Sequence, residues 1–188
     1  GKDTIGIYFQ AAPQLVVENG APAAFSGQAL TGTYASSATY IGAHNNHHYY
    51  MVQNGQRWTT AKAAAEALGG YLAIPNDAAE NQAIDNLIAN ASVREDAFLG
   101  IYWNGSEWLD VLGNTPTYTN WSGNTNSQPN NQPYSDYSYA RKSYWGTQWN
   151  NTNNTSNFII EFGPEDALVA FNQAFCDSVE LKAVALKT

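Results

Sequence analysis

Cysteine is almost missing from this 188-residue chain: Cys176 stands alone, so no intramolecular disulfide can hold it together. Charge is scarce as well. Only 13% of residues are charged, with 8 basic against 16 acidic, and the formal net charge is −8. That leaves no basic stripe to attract nucleic acid or an anionic membrane surface. No apolar run approaches the roughly 20 residues that a membrane-spanning helix needs. No Ser-His-Asp elbow, phosphate loop or dinucleotide fingerprint occurs, so the chain reads as a non-enzyme. A chain of this length can bury a substantial core, which fits one domain with room for a small second element.

Amides and aromatic rings are abundant instead, and they concentrate in one place. Residues 120–154 hold nine Asn, three Gln, three Trp and four Tyr, with Asp136 as the only carboxylate. Such a segment is too polar to form a core and too aromatic for a disordered linker. Amide and carboxylate oxygens are ligands for a hard cation such as Ca2+. The same amides keep an NH2 group to donate to a hydroxyl. This is where the function is expected.

The flanking sequence reads as mixed helix and strand. Residues 1–43 look like strands broken by Gly and Pro, and Tyr49–Gln53 like a strand followed by a turn at Asn54-Gly55. Thr59 or Thr60 is the expected cap of a helix with Ala61, Ala64, Ala65 and Leu68 on its buried face, ended by Gly69-Gly70. Asp77-x-x-Glu80 has the form of a capping box for a second helix, with Ile84, Leu87, Ile88 and Ala91 facing inward. Strands are expected at 71–74, at 98–103, across an Asn104-Gly105 hairpin to Leu109, and at 156–162.

This order carries specific pieces: Trp58-Thr59-Thr60-Ala61, Gly69-Gly70-Tyr71-Leu72-Ala73, Glu80-Asn81, Phe98-Leu99-Gly100, Trp108, Asn120-Trp121, Gln128-Pro129-Asn130, Trp149-Asn150-Asn151 and Phe158-Ile159-Ile160-Glu161-Phe162. Over residues 44–162 it resembles the C-type lectin-like domain, an α+β fold. Lacking disulfides, it looks most like the ligand-binding modules of large bacterial repeats-in-toxin type adhesins. The resemblance implies flanks 1–43 and 163–188 that pair with each other, and an extracellular place at the cell surface within a larger chain. It also implies a calcium site made by Gln128, Asn130, Asp136, Asn150 and Asn151, with a cis peptide before Pro129 when that site works. One carboxylate among five ligands predicts weak binding, on the order of 10⁻⁴–10⁻³ M. Asp110 or Glu161 is a further source of charge.

Sugar hydroxyls would complete the calcium shell, with Gln128, Asn130, Asp136 and Asn150 as contacts and Tyr134, Tyr137, Tyr144 and Trp145 as stacking candidates. Cell-surface glycans with fucose- or mannose-like vicinal diols are the favoured partners. A calcium-independent protein-binding domain of the invasin type is the alternative, and ice binding stands third because no regular Thr/Asn array is present. Trp58, Trp103, Trp108, Trp121 and Trp149 read as packing residues. His44, His47 and His48 read as a surface cluster without zinc-ligand spacing.

Overall fold

The computed structural model describes residues 30, 32–123, 128–129, 139–144 and 146–163. After a 3₁₀ turn at Ala35–Ser37 come β1 (Ala38–His44), β2 (His47–Gln56), α1 (Trp58–Ala67), β3 (Tyr71–Leu72), α2 (Ala78–Asn90), β4 (Ala97–Trp103), β5 (Trp108–Asp110), β6 (Tyr139–Lys142), β7 (Trp149–Thr152) and β8 (Ser156–Phe162). They form one sheet in the order β1-β2-β8-β4-β6-β7, with β3 added to β8 and β5 to β4. Among the described strand pairs β4–β8 alone is parallel, and an isolated parallel bridge joins Trp121 to Trp149. Two helices on a mixed sheet make an α+β fold.

Strand alternation divides the core in two. Tyr50, Val52, Phe98, Phe158, Ile160 and Phe162 face α1. Tyr49, Met51, Leu99, Ile101, Trp149 and Ile159 face α2. Strand β8 is buried on both sides, which explains its nearly unbroken apolar run.

Helix α1 ends as its two glycines predict. Gly69 has φ +89°, a left-handed conformation that glycine adopts without Cβ strain. Its N–H bonds Glu66 O and that of Gly70 bonds Ala65 O, the paired pattern of a Schellman cap. The start of α1 differs from expectation. Thr59 and Thr60 lie inside the helix, and Arg57 occupies the cap position without a side-chain bond. Trp58 sets the start by tertiary anchoring: its indole N–H bonds Leu99 O at 2.8 Å, and its ring stacks on Tyr139 at 4.6 Å. For α2 the box is half made. Asp77 Oδ1 accepts from Glu80 N–H, but the Glu80 carboxylate reaches Asn76 N–H at 2.7 Å.

Other expectations are corrected by long-range pairing. Asn54-Gly55 is not a turn; β2 continues through it with an irregular register until Gln56 meets Ser156. The polar segment 120–154 is not all loop, because it contributes β6 and β7. The three histidines do not share one surface: His44 and His47 are half-buried. His48 is buried and bonded through Nδ1 to Tyr40 Oη at 2.9 Å, and burial followed by neighbouring His47 lowers its pKa. Residue 43 lies within β1, so residues 38–43 belong to this sheet. The expected pairing of flanks 1–43 and 163–188 falls mostly on residues 1–29 and 164–188, which lie outside the described residues, as does Cys176.

The buried tyrosines set an alkaline limit. Burial, then Tyr40, pushes Tyr50 up to about 12, and burial, then Glu161 and Glu80, pushes Tyr49 up further still. Their unfolded counterparts ionise near 10. These raised folded values contribute stability that is complete below pH 10 and is lost as pH rises through them. The urea midpoint should therefore fall steadily above pH 10. Phenolate absorbance in the folded protein should lag behind that of the denatured chain.

Candidate functional site

The long loop returns to the sheet at Trp149, which is fully buried and donates its indole N–H to Asn81 Oδ1 at 3.0 Å. Asn81 in turn donates to Thr147 O, and so does Asn120. Trp149 N–H bonds Asn120 O at 2.8 Å, Ser122 N–H bonds Trp149 O at 2.9 Å, and Gln128 N–H bonds Ser122 O at 2.8 Å. The peptide between Gln128 and Pro129 is cis. Gln128 Oε1 accepts the backbone N–H of Asn151 at 3.3 Å. A triplet and a strand 23 residues apart thus meet at one point.

Of the residues picked out from sequence, Gln128 and Asn151 are brought together there, and Asn151 is buried. Asn150 and Tyr144 both line a cleft beside β6 and β8. Asn130, Tyr134, Asp136, Tyr137 and Trp145 lie outside the described residues. Asp110 accepts from Leu112 N–H and Asn114 N–H, each at 2.9 Å, which closes the turn after β5. Glu161 is fully buried; its Oε1 contacts His47 at 2.6 Å and accepts from Tyr71 at 2.8 Å, and its Oε2 accepts from Ile74 N–H at 2.8 Å.

Among solved structures, the carbohydrate-recognition domain of the mouse scavenger receptor C-type lectin is similar at 25% identity and a TM-score of 0.55. That match covers 68% of this chain and 94% of the other. The human counterpart matches at 25% identity and a TM-score of 0.56, covering 68% and 96%. The fold is C-type lectin-like.

A calcium-independent type II antifreeze protein has this lectin fold too, at 15% identity and a TM-score of 0.55 over 73% of this chain and 98% of that one. Fold alone therefore does not decide the question of calcium. No family model matches the chain. Within the lectin fold, the donors expected to hold calcium are oxygens, as a hard cation requires, but four of the five are uncharged amides.

A second donor group escaped the sequence reading. His47 on β2, Glu80 on α2 and Glu161 on β8 place one ligand atom each within 4.8 Å of one another, a set that could take a divalent cation. Tyr49 Oη donates to Glu80 Oε1 at 2.5 Å beneath them. These residues are 33 and 81 positions apart in sequence, so no local motif links them. The usable signal was the charged Glu161 inside the buried run Phe158–Phe162, since a buried charge requires partners.

Proposed function

We propose that this chain is a carbohydrate-binding module whose long loop holds sugar hydroxyls through calcium. The observation that supports the reading is the contact of Gln128 Oε1 with Asn151 N–H, in a fold shared with carbohydrate-recognition domains. Gln128, Asn130, Asp136, Asn150 and Asn151 are the proposed ligands. Asn at the third triplet position favours fucose- or mannose-like vicinal diols. Each site is weak, and multivalent display of the module on a bacterial surface adhesin supplies avidity for attachment to glycan-bearing cells.

The test is a glycan array run in millimolar calcium and again with EDTA. Signals on fucosylated or mannosylated structures should vanish with EDTA, and calcium itself should bind at about 10⁻⁴–10⁻³ M. Asp136→Ala, which removes the one carboxylate of the set, should abolish both. Normal glycan binding by that variant would remove the loop from the account. Silence in both conditions would favour a protein ligand instead. That reading has its own support, since Asp110 and Glu161 are both engaged away from the loop.

A further inference from the structure

We propose that the cleft beside β6, β7 and the start of β8 is a second saccharide subsite, one that works without a metal. This deepens the carbohydrate reading and rests on it for the class of ligand. The cleft holds 540 Å³, within the roughly 300–1,000 Å³ typical of small-ligand pockets. Asp96, Arg141, Ser143, Tyr144, Asn150 and Asn157 line it. Five separate parts of the chain converge here: the end of β2, the loop before β4, strand β6 and its following turn, strand β7, and strand β8 with the residue before it.

The frame is built by bonds that leave other groups available. Arg141 pairs with Asp96 Oδ2 at 3.1 Å. Asp96 Oδ1 accepts from Tyr144 N–H at 2.6 Å, and Asp96 O accepts from Ser156 Oγ at 2.9 Å. These contacts hold the carboxylate and guanidinium in place before any ligand arrives. Among the described residues, the buried Arg141 Nε has no hydrogen-bond partner.

The lining chooses among ligand chemistries. Apolar side chains are nearly absent, so a lipid or an apolar cofactor is a poor match. Glu95 and Asp96 against Arg141 leave the lining with an excess of negative charge, which disfavours phosphate, sulfate and uronic acids. A neutral polyhydroxylated ring matches the rest. Its hydroxyls can donate to Asp96 and accept from Arg141 and from the Asn157 amide. Tyr144, 38% exposed, offers a ring for the apolar C–H face of a sugar. Neighbouring strands hold Asn150 opposite Arg141, so an amide and a guanidinium are fixed side by side.

The experiment is a ¹H–¹⁵N amide titration of the whole chain in EDTA with methyl α-mannoside, methyl β-galactoside and N-acetylglucosamine, each at millimolar concentration. At least one should shift the amides of Ser143, Asn150 and Asn157 saturably. Asn157→Ala should weaken that saturation about tenfold, the loss of one well-placed hydrogen bond. Its amide spectrum elsewhere should stay unchanged, so a folding defect cannot imitate the result. Tyr144→Ala should weaken it as well. No shift in these amides with any of the three sugars overturns the subsite. Shifts that survive Asn157→Ala and Tyr144→Ala undiminished also overturn it. The two readings fail separately: EDTA-sensitive glycan binding with a silent cleft leaves the loop reading intact, whereas cleft shifts without any calcium-dependent binding leave the cleft and remove the loop.

Discussion

Replacing Asp85 with alanine should destabilise the domain by about 3–5 kcal/mol, because it strands a buried ammonium. Lys142 on β6 is 1% exposed, and its Nζ donates to Asp85 Oδ1 of α2 at 2.6 Å. Gly146 O at 2.8 Å and Ser143 O at 3.3 Å complete its shell. Burial lowers the Lys142 pKa, and the Asp85 bond opposes that shift. Without Asp85 only neutral carbonyls remain, so the lysine must deprotonate or drag water inward. Arg94, 3.4 Å from the same carboxylate, is a second cation, so losing Asp85 leaves its positive charge facing Lys142 as well. The double replacement Asp85→Leu with Lys142→Met should recover most of the loss, since well-packed apolar pairs often match a buried ion pair. Urea denaturation of the two variants decides the matter. If the double variant is as unstable as Asp85→Ala, packing rather than charge is responsible.

Gly100→Ala should cost about 3 kcal/mol or more, lowering Tm by about 6–12 °C. A Cβ at this position would sit 2.2 Å from Leu72 O and 3.0 Å from Leu72 C. Both are backbone atoms that cannot rotate aside. Gly100 N–H also bonds Ala73 O at 2.8 Å, so β4 and the chain after β3 are already held together. The added methyl would wedge them apart. Gly55→Ala, at a position with open space around its Cβ, is the matched control and should leave Tm nearly unchanged. A thermal melt of both variants checks the contrast.

Features with local causes were legible in the sequence. The Gly69-Gly70 cap, the Asp77 cap, the Asn104-Gly105 hairpin and the Ser156–Phe162 strand each follow from neighbouring residues. The missed features depend on distant partners. WNNT at 149–152 has little intrinsic strand preference, and becomes β7 because β6 pairs with it and Trp149 finds Asn81. Nothing local marks Asp85 as buried, because its lysine lies 57 positions away. The same holds for the site. The residues of the triplet and the W-N-N strand were readable from sequence, but the contact of Gln128 with Asn151 and the cleft at Arg141 arise only when loops and strands converge.

Strand β8 sits in the middle of the sheet, yet it comes last in the described order. A chain leaving the ribosome therefore exposes β2 and β4 with their shared neighbour still unmade. Neither core can close until Ser156–Phe162 has emerged, because that strand supplies Phe158, Ile160 and Phe162 to one side and Ile159 to the other. Long-range pairing of this kind is slow and leaves strand edges open to other chains. During synthesis, the most vulnerable moment comes just before β8 arrives.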